Sequence, residues 1–437
     1  MPSPLSRALR RPASDLSFSV FLVTVVLSLL RARDLPSFDF RTAGTTVSVG
    51  PTDIALLATA ALAAIRFRAR RTLPSPWLLA ATAAFALLIA ASAIPNGADA
   101  LTAAGKLAEL SALTLGAAAF LDTRERLTAL AELIVAYTIV AVFWGAVGFV
   151  GGAGGRQGSF LGEHDLAAVA TMALVVGLAR IHARTGRPGL FAAVAVVAGG
   201  LGITLGASLA GLLGLYLAVA TVLGLALGRH RLRPGAVLAT LAVTVAVTAG
   251  TLSLRSGDLG FIQEWFGPEP ERPGQYAASW SQRLIYAYVG GRVFLDRPLL
   301  GTGWQGELPP EDFARYLPDA RDRFSDQPAS YFPKADGTLI PQQTYDQVLF
   351  ELGLAGAGVF LAVALLAVRN ALQAGLRWSR SGERTELAYV PAAWLTGLAG
   401  ALAGAALFGG APLTATFWLT LGVVAAAPRL LRNPSPA

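Results

Sequence analysis

The stretch "PQQTYDQVLFELGLAGAGVFLAVALLAV", residues 341–368, indicates whether this chain lies in a membrane or in water. A row of polar residues leads into an apolar run that only Glu351 interrupts. From 346 onward the run has the length, about 20 residues, that crosses a bilayer core as a helix. Polar groups at that boundary are costly unless they face protein or water. The stretch therefore predicts a membrane helix whose first turn contacts protein or water through its polar side chains.

Composition supports a membrane protein. Hydrophobic residues make up 54% of the chain and charged residues only 14%, whereas soluble domains carry about 25% charged residues. The absence of cysteine excludes disulfides, thiol nucleophiles and Cys-based metal sites, and three histidines are too few for a His-rich zinc site. We expect no metal and no cofactor. The first apolar run follows a basic segment without an Ala-x-Ala cleavage site, so we expect it to stay as an anchor.

Apolar stretches of spanning length recur along the chain and predict an all-α integral membrane protein with about 12 transmembrane helices. They lie at 17–31, 52–67, 76–94, 100–121, 128–150, 164–181, 188–206, 207–227, 235–254, 346–368, 387–408 and 411–428. This divides the chain into 1–254 with nine helices, a loop at 255–345, and 346–437 with three helices. The fourth stretch contains Lys106 and Glu109, whose i, i+3 spacing predicts a pair.

Arginines alternate between the two sides of this predicted bundle. If the N-terminus is cytoplasmic, the short outside loops hold only Arg31, Arg33, Arg41 and Arg156, and the inside segments are rich in arginine. The positive-inside rule for short loops predicts this bias. Both termini are therefore expected in the cytoplasm. The rule also explains the net charge of +8 without nucleic acid as a partner.

The outside loop at 255–345 is long and rich in proline and charge. Within it, "SWSQRLIYAYVGGRVFLDRPLLGTGW" places Trp280, Leu284 and Tyr288 at helical spacing, which predicts an amphipathic helix lying on the membrane. Gly290 and Gly291 weaken its middle, and Pro298 ends it in a turn. A loop this long in a compact bundle is usually functional or disordered, and its aromatic residues favour order.

Polar residues collect on the same outer face. The segment "GGAGGRQGSFLGEHDLAAVA" (151–170) carries Arg156 and then Glu163, His164 and Asp165 at the start of the sixth span. Each feature has a structural alternative. Asp165 can cap its helix, Thr344 or Asp346 can cap the tenth span, and Arg283 can snorkel at the interface. Taken together they favour a site in which arginines bind a phosphate or diphosphate, and a carboxylate or imidazole accepts a proton.

Three segments in order resemble the O-antigen ligase and polymerase (Wzy-C-type) superfamily of bacterial envelope enzymes. They are "RQGSFLGEHDLAA", "RLIYAYVGGRVFLDRPLLGTGWQG" and "QQTYDQVLFELGLAG". Pro-Leu-Leu-Gly-Thr-Gly and Glu-Leu-Gly-Leu-Ala-Gly are the best matches, and the resemblance covers about 150 to 360. It implies a glycosyltransferase-C-like helix bundle with its large extracytoplasmic loop between the ninth and tenth spans.

The resemblance also implies an activity and a place. Such an enzyme transfers a glycan from undecaprenyl diphosphate, without a nucleotide sugar, to a glycolipid such as lipid A-core or to another envelope acceptor. It does so at the outer face of the bacterial cytoplasmic membrane, among membrane lipids. Arg283 is then the first candidate to bind the donor diphosphate, followed by Arg156 and Arg292. Gln342, Gln343 and Tyr345 fall in the acceptor-side motif.

The chain departs from the family pattern where the family has its catalytic histidine. Gln342 occupies that position and Gln343 follows where the family has Asn. In the segment "GASLAG", Ser208 is kept but Leu209 replaces an arginine. Because glutamine cannot act as a base, the base is expected among Glu163, His164 and Asp165, with Gln342 binding sugar hydroxyls. Two other functions stay open: a polymerase that extends a lipid-linked glycan, and a lipid-linked glycan transporter without catalysis.

Overall fold

The computed structural model describes residues 12–30, 36–42, 45–153, 155–183, 189–228, 232–255, 278–306, 314–334, 341–380, 388–409 and 411–430. Fifteen α-helices lie within these ranges. They are α1 (Pro12–Leu29), α2 (Pro51–Arg70), α3 (Pro76–Ala93), α4 (Gly97–Glu109), α5 (Ala112–Phe120), α6 (Arg124–Gly148), α7 (Glu163–Ala183), α8 (Leu190–Gly206), α9 (Leu209–Gly228), α10 (Pro234–Leu254), α11 (Ala278–Asp296), α12 (Leu317–Arg323), α13 (Thr344–Arg380), α14 (Val390–Ala401) and α15 (Pro412–Leu430).

Little of the described chain is sheet. Strands β1 (Phe38–Thr42) and β2 (Thr45–Val49) form one antiparallel hairpin between α1 and α2. Short 3-10 turns at Ile94–Asn96 and Ala329–Tyr331 and a π-turn at Phe149–Ala153 complete the regular structure of the described ranges. The chain is an all-α membrane protein, as the sequence predicts.

Seven helical segments of the described chain are long and apolar enough to cross a membrane. They are Pro76–Phe120, Arg124–Gly152, Glu163–Ala183, Leu209–Gly228, Pro234–Leu254, Thr344–Arg377 and Pro412–Leu430. Three shorter apolar helices are Leu16–Leu29, Leu190–Gly206 and Val390–Ala401. The second predicted span, which forms α2, belongs to neither set; it carries Asp53 and three arginines.

The predicted fourth span is broken. It forms α4 and α5, which are separated near Leu110. Lys106 and Glu109 do approach each other, at 3.9 Å, but the closer partner of the Lys106 ammonium is Asp53 on α2, at 2.7 Å. The expected i, i+3 pair is therefore the weaker half of a three-residue cluster that joins α4 to α2.

Helices α7 and α15 are the most deeply buried of the candidate spans. Helix α7 packs against α6, α8, α9, α14 and α15. Small residues allow the closest approaches: a Cβ on Gly400 of α14 would lie 2.2 Å from the Gly214 nitrogen of α9. Without a hydrophobic driving force between helices in lipid, such close van der Waals packing stabilises the bundle.

Helix α13 breaks at Gly353, whose φ of 62° and ψ of −158° are not helical. The turn at 298–303, which contains Pro-Leu-Leu-Gly-Thr-Gly, fills the break. Leu354 N–H donates to the Pro298 carbonyl (2.8 Å) and Gly303 N–H to the Glu351 carbonyl (2.8 Å). A Cβ on Gly301 would lie 2.4 Å from the Phe350 carbonyl oxygen. The two motifs that best match the resembled family thus contact each other backbone to backbone, which only glycine allows.

Helix α11 forms where the loop sequence predicts an amphipathic helix, and protein covers one apolar side of it, whereas Leu284 of the predicted apolar face stays 44% exposed. Ile285, Val289 and Val293 are buried with Tyr316 and Leu317 in a small core of the loop's own residues. Gly290 does not interrupt the helix; it allows contact with the Phe350 ring, which a Cβ would meet at 2.2 Å. The Trp280 side chain lies outside the described side chains. The loop therefore folds on itself and on α13.

Candidate functional site

A cavity of about 450 Å³ lies at one end of the bundle, where α7 and α9 begin and α10 ends. Its polar lining consists of Arg156, His164, Arg255, Arg283 and Gln343. The remaining lining is apolar and comes from α9, α11 and the segment after α14: Leu209, Ala210, Leu213, Leu284, Ala287 and Ala403. Four residues that the sequence singled out, from three distant segments, thus lie around one space.

The glycine-rich loop before α7 places Arg156 over the cavity. Gln157 N–H donates to the Leu205 carbonyl at the end of α8 (2.8 Å), and Gly162 N–H closes a tight turn on the Gly158 carbonyl (2.8 Å). Gly162 needs a φ of 113° for this turn. The Arg156 guanidinium forms an ion pair with Glu163. Glu163 therefore orients Arg156 and lies beside the cavity rather than among its lining residues.

His164 lies in the first turn of α7 and is held by Ser208, the residue before α9. Its Nδ1 is 2.8 Å from the Ser208 hydroxyl oxygen, which also accepts the Gly211 N–H at 3.2 Å. In the tautomer whose Nδ1–H donates to Ser208, Nε2 is left as a proton acceptor. A histidine fixed at one ring nitrogen on a cavity wall is well placed to take a proton from a bound hydroxyl.

Arg255 is a lining residue that the sequence reasoning did not select. It ends α10, is only 8% exposed, and donates to the Ala207 carbonyl at 3.1 Å. The signal that could have selected it is its position as the first residue after a span, at the start of the long loop at 255–345. The bond to the Ala207 carbonyl fixes its guanidinium, so the cavity's positive charge is preorganised.

Arg283 extends from α11 into the same space. Burial and the nearby Arg255 and Arg156 lower the pKa of its guanidinium, while Asp346 acts in the opposite direction. An arginine remains charged despite such shifts. Three guanidinium groups therefore surround one cavity, with Glu163 and Asp346 as nearby acids, and an anion is the ligand that this arrangement favours.

The polar start of α13 mostly contacts protein. Thr344 donates to the Ala405 carbonyl (2.8 Å) and Tyr345 to the Ala399 carbonyl (2.6 Å). Gln347 makes two bonds with the Leu407 backbone. These bonds satisfy carbonyls at and after the end of α14, which the bilayer could not. Thr344, one of the two predicted caps of this helix, thus bonds a carbonyl in the segment after α14.

Within the same segment, Gln343 lines the cavity and its amide donates to Asp346 at 2.7 Å. Gln342, expected to bind sugar hydroxyls, is not among the lining residues, and neither is Tyr345. Of the two predicted glutamines, Gln343 is therefore the one that lines the cavity.

Two further candidates have structural partners elsewhere. Asp165 accepts the Leu413 N–H at 2.7 Å and so caps the first turn of α15. Arg292, nine residues after Arg283 and hence on the opposite face of α11, pairs with Asp319 at 3.2 Å and is half exposed. Neither lines the cavity.

Within the described ranges, no three His, Asp or Glu side chains converge as they would around a metal ion. No protein-family model matches this chain, and no curated protein matches it.

Proposed function

We propose that this protein transfers a glycan from a lipid diphosphate donor to an acceptor hydroxyl in the cavity between α7, α9 and α11. One observation carries the proposal: Arg156, Arg255 and Arg283 surround the same cavity wall as His164. Phosphate and diphosphate groups are the anions that guanidinium groups bind bidentately. The apolar residues Leu213 and Leu284 beside them, each partly exposed, suit a lipid-borne substrate.

In the proposed reaction, the acceptor oxygen forms a bond to the anomeric carbon of the glycan. The bond between that carbon and the diphosphate oxygen breaks, and the lipid diphosphate leaves with the electron pair. The acceptor's proton passes to His164 Nε2. Fixed arginines stabilise the charge that develops on the leaving group, because they need no reorganisation in a partly dry site.

His164 is a better candidate for the base than Glu163 or Asp165. Glu163 is occupied by its ion pair with Arg156, and Asp165 by the Leu413 N–H. His164 has one ring nitrogen bonded to Ser208 and lines the cavity. We therefore assign His164 as the proposed base in place of the family histidine that is missing at position 342.

The resemblance to O-antigen ligases supports undecaprenyl diphosphate as the donor carrier and a glycolipid such as lipid A-core as the acceptor. A polymerase, with a second lipid-linked glycan as acceptor, would use the same cavity. The proposed location is a bacterial cytoplasmic membrane with about 12 crossings, cytoplasmic termini and the cavity outside. The arginine distribution along the sequence supports that orientation.

The deciding experiment measures donor release. Purified wild type, Arg283→Ala, His164→Ala and Glu163→Gln are incubated with undecaprenyl-diphosphate-linked glycan and a panel of acceptors, and released undecaprenyl diphosphate is quantified by mass spectrometry. Arg292→Ala is the matched control, since it removes the same charge from the same helix outside the cavity. We expect acceptor-dependent release that Arg283→Ala abolishes and Arg292→Ala preserves.

The acceptor panel separates the alternatives. Release with a glycolipid acceptor supports ligation, and release with lipid-linked glycan alone supports polymerisation. If the wild type binds donor tightly but releases no diphosphate with any acceptor, glycan transfer is wrong and a transporter remains. Equal loss in Arg283→Ala and Arg292→Ala would contradict the cavity as the donor site.

A further inference from the structure

The opposite end of the bundle carries a second group of arginines, which the proposed function does not use. Arg66 and Arg70 of α2, Arg126 of α6 and Arg429 of α15 meet around Asp122. We call these five residues the Asp122 cluster. Helix α15 separates this cluster from the cavity: Leu413 bonds Asp165 beside the cavity, and Arg429 lies 16 residues later, about 24 Å along a helix.

The cluster lies at a membrane boundary. Asp122 falls between two candidate spans, one ending at Phe120 and the next beginning at Arg124, and Arg429 is in the last turn of a third. Trp77, 76% exposed in the first turn of α3, is at a span end too. Tryptophan is enriched where a bilayer's headgroups begin. The arginines are therefore at the depth of phospholipid headgroups.

The acceptors inside the cluster are fewer than its donors. Asp122 Oδ2 accepts from both Arg66 and Arg70, and Oδ1 accepts from Arg126 at 2.9 Å. Three carbonyls at the end of α5 take one further bond each, from Arg429, Arg70 and Arg126. Each guanidinium offers five N–H donors. Within the described part of the chain, Arg66 makes one hydrogen bond and Arg70 makes two, so most of their donors stay unused.

Charge is unbalanced in the same way. Four guanidinium groups surround one carboxylate. The arginines remain partly accessible, with side-chain exposures of 24% for Arg66, 30% for Arg70 and 15% for Arg126. Exposed apolar residues, Ile65 and Leu73, lie next to them in the chain.

From this geometry we propose that the Asp122 cluster binds the phosphate headgroup of an anionic phospholipid in the leaflet at this end of the bundle. Basic groups between membrane helices favour anionic headgroups at this depth. The phosphate oxygens accept the N–H donors that Asp122 leaves unused, and the acyl chains lie along the apolar surface of α2. The site is independent of the cavity and of the proposed glycan transfer.

The test is native mass spectrometry of the full chain in detergent, titrated separately with phosphatidylglycerol, phosphatidylcholine and inorganic phosphate. We expect phosphatidylglycerol to bind at least tenfold more tightly than phosphatidylcholine. The double variant Arg66→Gln/Arg70→Gln should weaken phosphatidylglycerol binding about 30-fold, because each basic group near an anionic headgroup contributes about fivefold. Arg68→Gln is the matched control: it is exposed on the same helix, outside the cluster, and should change binding less than about twofold.

A second variant distinguishes a lipid site from a purely structural cluster. Asp122→Asn removes the competing acceptor and one negative charge, so phosphatidylglycerol should bind about fivefold more tightly. A purely structural cluster predicts no gain. If the double variant fails to fold, two single variants test the proposal instead: Asp122→Asn should strengthen phosphatidylglycerol binding, and Arg429→Gln should weaken it. Unchanged binding in Asp122→Asn, equal binding of the two lipids, or displacement of phosphatidylglycerol by inorganic phosphate would each overturn the proposal.

Discussion

The two arginine groups at opposite ends of the bundle differ in what they enclose. Around the cavity, Arg156, Arg255 and Arg283 surround about 450 Å³ of open space with His164 on its wall. In the Asp122 cluster, the guanidinium groups close directly on a carboxylate and on helix-end carbonyls. An arginine group around a void can receive a reacting molecule, whereas one that closes on protein atoms can hold helices together and attract only a peripheral headgroup.

Arg255, a cavity arginine that the release experiment above leaves unchanged, gives the largest expected difference between the two arginine groups. Arg255→Ala should lower acceptor-dependent release of lipid diphosphate by about 10²–10³, because it removes a preorganised charge from the developing anion. Arg70→Gln, in the Asp122 cluster, should lower it by less than about threefold. Release by both variants is measured in the same donor assay. Equal losses would show that the two groups do not differ in function.

A proton acceptor should distinguish the cavity next. His164→Gln should lower release about 10²-fold, the usual contribution of a positioned general base. Ser208→Ala should lower it less, about tenfold, since Ser208 acts through the imidazole that it orients. Donor binding, measured separately by native mass spectrometry, should stay unchanged in both. A loss of donor binding in His164→Gln would assign His164 to binding instead of proton transfer.

Removing a carboxylate should affect stability more in the closed cluster. Asp122→Asn should destabilise the protein by about 1–2 kcal/mol, because three arginines lose a shared, largely buried partner. Glu163→Gln should have a smaller effect, since its single ion pair is more exposed. Thermal unfolding of the two variants in detergent compares them. The reverse order would contradict the division between a closed and an open group.

The smallest expected effect is that of pH on phosphatidylglycerol binding at the Asp122 cluster. Burial raises the pKa of the Asp122 carboxyl, but Arg126, Arg70 and Arg66 outweigh it and hold the pKa below its usual value. The stability that the folded protein gains from the ionised Asp122 carboxylate is therefore complete above the carboxyl's unfolded-state pKa, about 3.9. It is lost only as the pH falls through the lower pKa of the folded state. Phosphatidylglycerol binding should be constant between about pH 5 and 8. A titration within that window would indicate a different group.

Some residues that line the cavity could be predicted because their type and their immediate neighbours in the sequence were enough to single them out. Arg156 and His164 stand beside the start of a span, and Arg283 is a cation within an apolar helix pattern. Arg255 was missed because nothing in its neighbours distinguishes a span-end arginine that snorkels from one buried against the Ala207 carbonyl. Arg292 lies nine residues after Arg283, so helical geometry alone puts it on the opposite face of α11.

The sequence by itself determined that this protein lies in a membrane and which segments form its helices. Apolar runs of spanning length predict membrane helices because each backbone group must bond internally in lipid, and arginine counts predict their orientation. Only the tertiary structure decided which polar residues are functional candidates. Asp165 caps α15, Thr344 and Gln347 satisfy carbonyls at or after the end of α14, and Gly301 fills the break in α13. Such partners are hundreds or tens of residues apart in the chain, and no local pattern records a contact whose partner is fixed by how the helices pack.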